Sequence, residues 1–351
     1  MLKVFHFQRL AAVLAVVVVF SAASLFGQAD APPERSAPQG NDSSSAQDDQ
    51  SEPVTTFKGG VDVVQLFFNV KDKRGALIPN LKKEDFLLSE DGKPQTVKYF
   101  AENSDLPLTL GILIDASGSQ SNVLDMEKQV GGAFLSDIIR EKDLAFVLSF
   151  DVNVDLLQDF TSSTRKLKDA LNSARINTGG GGGTIGGLGG GPIPTSGTPR
   201  GTLLYDAIYL ASHDELAQQV GRKAMIILTD GEDQGSRLRV QDAIEAAQKS
   251  DSIVYVLMIA DRGFYGGGFY HGDSEMKKLS NQTGGRVIDV GNKFDKLREA
   301  FDQIAQELRS QYSVGYTPTN TNRDGSFRKI EVKAKDYKIQ ARAGYYARAS
   351  Q

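Results

Sequence analysis

The sequence predicts a doubly wound α/β domain with a mostly parallel sheet, set between two flanking β segments. Two observations carry that prediction. Short apolar runs, such as 108–114 (LTLGILI) and 224–229 (AMIILT), alternate with longer stretches of helical periodicity. Strands that read as apolar along their length are buried on both faces, and the amphipathic helices between them cover those faces. The alternation starts near residue 105 and stops near residue 310. Outside it, β-branched runs separated by Asp-Gly turns take over.

Residues 1–29 read as a secretory signal peptide. Lys3 and Arg9 precede an apolar run from Leu10 to Phe26, and Gly27-Gln28-Ala29 offers small residues for cleavage after Ala29. The alternative is an uncleaved membrane anchor, for which the run is slightly short and carries Ser21 and Ser24. A secreted or periplasmic location follows, with membrane contact only through an uncleaved signal. Residues 30–56 are rich in Ala, Pro, Ser, Gln and Asp and nearly free of large apolar groups. Such a stretch cannot bury enough surface to offset its chain entropy, so it is expected to be a disordered linker.

Residues 57–104 form the N-terminal β segment. Val61–Val70, Asp85–Ser89 and Thr96–Phe100 read as strands, with Glu90-Asp91-Gly92-Lys93 as a turn. The α/β domain spans 105–310. Its expected strands are Leu108–Ile114, Leu144–Phe150, Val154–Phe160, Ala224–Thr229, Ile253–Ile259 and Arg286–Val290. Its expected helices are Val123–Ile139, Thr164–Ala174 (Thr164 as N-cap), Thr202–Ala217, Val240–Gln248, Glu275–Asn281 and Phe294–Ser310. Residues 311–351 return to strands at Tyr312–Tyr316, Phe327–Ala334 and Ile339–Tyr346, with Arg323-Asp324-Gly325 as a tight turn. Each flank alone offers about three strands, too few for an independent core. The economical reading is a single small β-sandwich made from 57–104 and 311–351; the alternative is two separate appendages. The whole is a Rossmann-like α/β domain inserted between flanking β segments.

Composition narrows the chemistry. The 351 residues contain no cysteine, three histidines, 40 basic and 44 acidic residues, and a formal charge of −4. That excludes disulfide scaffolds, thiolate zinc sites, iron–sulfur clusters and cysteine nucleophiles, and it disfavours nucleic acid as a partner. His213 and His271 read as surface residues. The glycine-rich loop 179–201 contains GGGGGTIGGLGGG and lacks the Gly-Lys-Ser/Thr ending of a phosphate loop. It reads either as a tolerated surface insertion or as a flap beside the site described next. The loop GFYGGGFY at 263–270 reads either as an adaptable contact surface or as an insertion.

The residues that carry chemistry sit at strand ends. Asp115-Ala116-Ser117-Gly118-Ser119 follows the apolar run 108–114 and precedes a helix, the place where open α/β sheets bind ligands. Asp230 ends the run 224–229 in Thr229-Asp230-Gly231, and Gly201-Thr202 opens a helix between the two. Two carboxylates and three hydroxyls are all oxygen donors, the set a hard divalent cation prefers. The plain alternative is an Asx-turn and helix cap with no metal. Glu232 and Asp233 read as solvated loop acids or as a rim that tunes affinity, and Asp151 as a surface loop acid. Asp-Ala-Ser-Gly-Ser is not a hydrolase nucleophile elbow, and no general base stands beside it in sequence.

The order Asp-x-Ser-x-Ser, then threonine, then a strand ending in Thr-Asp-Gly resembles the von Willebrand factor type A (vWA) domain and its metal-ion-dependent adhesion site (MIDAS). Residues 105–310 are similar to that family in element order. The flanks, with DLPLTLGILID and a Gly-Tyr-Tyr ending, resemble a secreted, especially acidobacterial, subfamily of unassigned function. The resemblance implies that Ser117, Ser119 and Thr202 contact a cation directly, while Asp115 and Asp230 act mostly through bound waters. The implied ion is Mg²⁺, or another divalent cation such as Mn²⁺ or Ca²⁺. With mainly neutral donors the ion keeps an electrophilic position, so the implied partner is a protein ligand presenting an Asp or Glu carboxylate. The expected role is an adhesion-type binding module and not an enzyme; the alternative is an envelope scaffold with a structural metal.

Overall fold

The computed structural model describes residues 63–102, 105–176, 201–259 and 272–349. The signal segment 1–29, the linker 30–56, most of the glycine-rich loop 179–201, and the 263–270 loop with His271 lie outside the described residues.

A six-stranded sheet forms the centre. Its strands are β5 (Leu108–Asp115), β6 (Leu144–Phe150), β7 (Val154–Thr161), β8 (Arg222–Thr229), β9 (Ser252–Met258) and β10 (Val287–Asp289). Their spatial order is β10-β9-β8-β5-β6-β7, parallel except for the antiparallel edge strand β7. Every residue of β5 is buried, which is why it reads as apolar without alternation.

Helices α1 (Leu124–Ile138), α2 (Thr164–Ser173) and α6 (Phe294–Arg309) pack one face of the sheet around Leu110, Ile112, Phe134 and Phe301. Helices α3 (Leu204–Leu210), α4 (Val240–Lys249) and α5 (Gly272–Thr283) pack the other face around Phe146, Ile208, Ile227 and Met276. Burying such aliphatic and aromatic side chains contributes roughly 1.5–3 kcal/mol each. After β5 the chain moves to β6 on one side and returns to β8 on the other. The carboxyl ends of β5 and β8 are therefore the topological switch point, where the covering helices diverge and leave a crevice.

Strands from both flanks share two antiparallel sheets. The first is β13 (Lys338–Ala341), β1 (Val64–Lys71), β11 (Tyr312–Tyr316) and β4 (Val97–Ala101). The second is β14 (Gly344–Tyr346), β12 (Phe327–Lys333), β2 (Leu87–Glu90) and β3 (Lys93–Gln95). Their facing residues, among them Leu66, Phe68, Leu88, Tyr312, Ile330 and Val332, form one core. The buried Glu90 is held between the sheets by Tyr316 (2.7 Å) and Tyr345 (3.0 Å) hydroxyls that donate to it. The sandwich meets the α/β unit at Glu307 of α6, whose carboxylate accepts from Lys71 (2.8 Å), Arg286 (2.8 Å) and Gln340 (3.1 Å).

Several local expectations are corrected. The run 85–89 opens with a 3-10 turn at Lys83–Asp85, and the strand starts at Leu87. Its hairpin partner is β3 and not 96–100: Asp91 and Gly92 both have positive φ (47° and 77°) and close a two-residue turn between Glu90 and Lys93. The chain then crosses to the other sheet, where β4 pairs with β11. The run 339–346 is divided the same way, with Arg342 and Ala343 carrying the chain from one sheet to the other. Ser163 caps α2, its hydroxyl accepting from Lys166 N–H (3.4 Å), so Thr164 is the first helical residue. The helix expected over 202–217 is α-helical only from Leu204 to Leu210 and continues as a π turn and a 3-10 turn to Gln218.

Candidate functional site

Asp115 is the last residue of β5 and is completely buried. One carboxylate oxygen accepts from the Ser117 N–H (2.9 Å), and the other accepts from the Thr229 hydroxyl (2.7 Å). Thr229 in turn accepts from Gly231 N–H (3.0 Å). One threonine thus fastens the end of β5 to the turn after β8. The Asx-turn that sequence alone allows is present, and it orients the Ser117 backbone.

That turn brings the hydroxyls together. Ser117 Oγ and Ser119 Oγ lie 3.0 Å apart, and Ser119 Oγ donates to Asp230 Oδ2 at 2.5 Å. Asp230 Oδ1 accepts from Glu232 N–H (3.1 Å), which points the carboxylate back toward the serines. The geometry depends on Gly231, whose φ of +84° is disfavoured for any residue with a side chain.

Thr202 is held at the same rim by backbone contacts. Its carbonyl accepts from Gln234 N–H (3.0 Å), and Leu203 N–H donates to the carbonyl of Asp151 at the end of β6 (2.8 Å). The first turn of α3 is bonded to the 230–238 loop: Tyr205 N–H donates to Ser236 (3.1 Å) and Asp233 (3.3 Å), and Asp206 accepts from Leu238 N–H (3.0 Å). Asp233 is therefore an anchor for α3 rather than a free rim acid. Among the predicted residues, Ser119 touches both Ser117 and Asp230, Asp115 stands behind them, and Thr202 is tied through its main chain to Gln234 in the loop after Asp230.

The electrostatics are severe. Burial, and then the neighbouring Asp230 charge, push the Asp115 carboxyl up to about 7. Glu127 on α1 is also completely buried and is pushed well above the carboxylate range, first by burial and then by Asp115 and Asp230. Among the described residues, no salt bridge neutralises Asp115 or Glu127. Concentrated buried negative charge without a counter-charge is costly, and a bound cation is the chemistry that relieves it. The donors suit a hard ion: hydroxyls and carboxylates, with no sulfur or imidazole. Sequence reasoning missed Thr229 as a fastener, and Asp206, Asp233 and Ser236 as loop anchors. Their signal is tertiary, because each partner lies about 30 or more positions away.

No family model matches the sequence, and comparison with curated proteins gives no match. Solved structures do superpose. A conserved hypothetical protein, BatB, from Bacteroides thetaiotaomicron matches at 19% identity and TM-score 0.42, over 58% of this chain and 100% of its own. The vWF domain of the type V pili tip protein Mfa5 from Porphyromonas gingivalis matches at 14% and 0.41, over 57% and 94%. Proximal thread matrix protein 1 from the mussel byssus, with a zinc-occupied MIDAS motif, matches at 14% and 0.45, over 62% of this chain and 49% of its own. The present chain thus spans about half the length of the mussel protein.

Proposed function

We propose that Asp115, Ser117, Ser119, Thr202 and Asp230 hold a divalent cation, with Mg²⁺ the favoured ion, in a vWA-type adhesion site. The observation that carries this reading is the contact chain Ser117–Ser119–Asp230, closed behind by Asp115 and Thr229. Ser117, Ser119 and Thr202 would hold the ion directly, and the two aspartates would orient its waters. Hydroxyl donors leave the ion's charge under-compensated, so bound here it would supply an electrophilic position for an Asp or Glu carboxylate of a partner protein. The module binds and does not catalyse. Secretion or a periplasmic location fits the signal-like segment 1–29, and the two flanks would act as a rigid base.

The test is affinity capture from a cell-envelope extract on immobilised full chain, with Mg²⁺ or with EDTA. Capture is expected in Mg²⁺ and is expected to vanish with EDTA and in Asp115→Ala and Ser117→Ala, each of which stays folded. Capture that ignores both chelator and variants defeats the adhesive reading. Collapse of thermal stability in EDTA, with capture carried by the sandwich alone, would favour the structural-metal scaffold.

A further inference from the structure

Two side chains beside the site have polar atoms with nothing to bond. Glu127 is 0% exposed, and neither of its carboxylate oxygens has a hydrogen-bond partner. Gln120 is 1% exposed, and its Oε1 is likewise unpartnered. Native interiors pair such atoms with protein or ordered water, so three orphaned oxygens in one neighbourhood point to something that occupies it.

Their placement ties them to the ion site. Gln120 directly follows Ser119 and directs its amide toward the Ser119 hydroxyl (3.5 Å). Its backbone carries the chain into α1, through Val123 N–H to Gln120 O (3.0 Å) and Glu127 N–H to Val123 O (3.0 Å). Glu127 thus stands in the first turn of α1 on its buried side, and the charges acting most on it are those of Asp115 and Asp230. Among the described residues, the basic residue acting on it is Lys128, which is paired with the exposed Asp125 at 3.6 Å.

We propose that Glu127 and Gln120 form an outer layer of the cation site, holding its ordered waters, with Glu127, ionised when the cation is bound, supplying a third negative charge that strengthens ion binding. This rests on the reading of the site as a cation site. Outer-layer carboxylates of this kind tune affinity without touching the ion. A neutral-donor inner set makes that contribution larger, because the compensating charge must come from behind. Glu127 is a positioning residue.

The experiment is Mn²⁺ titration of the full chain, read as free Mn²⁺ by electron paramagnetic resonance, with melting curves in EDTA. Glu127→Gln, which keeps shape but not charge, is expected to bind Mn²⁺ about 10- to 100-fold more weakly than wild type. It is expected to melt no lower than wild type in EDTA, since a partnerless buried carboxyl is gone. Glu127→Asp keeps the charge and is expected to bind closer to wild type than Glu127→Gln does. Wild-type affinity in Glu127→Gln, equal losses in both variants, or a much lower melting point of Glu127→Gln in EDTA would each overturn the inference while leaving the cation site intact. If the wild-type chain takes up no Mn²⁺, the cation reading itself falls, and the inference falls with it.

Discussion

Asp115 carries both structural and electrostatic duties, and the two conflict when no ion is bound. Its oxygens organise the Ser117 turn and receive the Thr229 hydroxyl, yet burial and Asp230 push its carboxyl up to about 7. A carboxyl raised in the folded state keeps its proton where the unfolded chain has lost it. The contribution of Asp115 to the stability of the ion-free protein is therefore fully present below about pH 4 and is lost as pH rises through about 7. Acids held low by hydrogen bonds, such as Asp324 at about 2, titrate beneath that window and do not mask it. Chemical denaturation in EDTA from pH 4 to 8 is expected to show the decline, and Asp115→Asn to lessen it, leaving the share that the buried Glu127 contributes. A wild-type profile that rises through the window would refute the assignment. Excess Mg²⁺ should reverse the loss, because the ion displaces the proton.

Among the elements, the turn after β8 decides whether the site exists. Asp230 faces Ser119 only because Gly231 adopts φ +84°, and a Cβ there would stand 2.8 Å from the Met258 methyl. Gly231→Ala is expected to destabilise the chain by roughly 1–3 kcal/mol, measured by urea unfolding, and to weaken Mn²⁺ binding. Unchanged stability would show that the turn tolerates a side chain. The same turn explains how Thr202, more than eighty positions after Asp115, comes alongside: the 230–238 loop and α3 exchange hydrogen bonds through Asp206, Asp233 and Ser236. The strand-end position of the motif could be read from apolar runs and their terminal acids. The fasteners could not, because Thr, Asp and Ser in loops read locally as turn formers and their long-range partners leave no periodic trace.

For the whole molecule, the chain closes on itself. β1 is paired on both sides by strands from the far end, with Leu66 opposite Val314 and Phe68 opposite Ala341. Phe68 packs edge-on against Phe86 (5.2 Å) and stacks on Tyr312 (5.8 Å), so the core of the sandwich is shared between the flanks. A chain beginning at residue 105 would leave β11 without either neighbour and β12 without β2. Limited proteolysis is expected to cut within 311–349 in that truncated chain and to spare it in the full one; equal protection would mean that the C-terminal strands stand alone. Glu307 sits where the sandwich joins α6, with Lys71, Arg286 and Gln340 converging on one carboxylate. Among the described residues, no helix is long and apolar enough to cross a membrane.

By itself the sequence determined the alternation of strands and helices in the α/β domain, the two-faced burial of the central strands, and the oxygen-rich character of the strand ends. These follow from side-chain period and from residue chemistry, both of which are local. Tertiary structure alone decided which flank strands pair, where the chain changes sheets, that Thr229 fastens Asp115, and that the oxygens of Gln120 and Glu127 are buried beside the motif without partners. Those outcomes depend on packing between distant segments and on burial, which converts an ordinary carboxyl into a costly charge only once water has been excluded from around it.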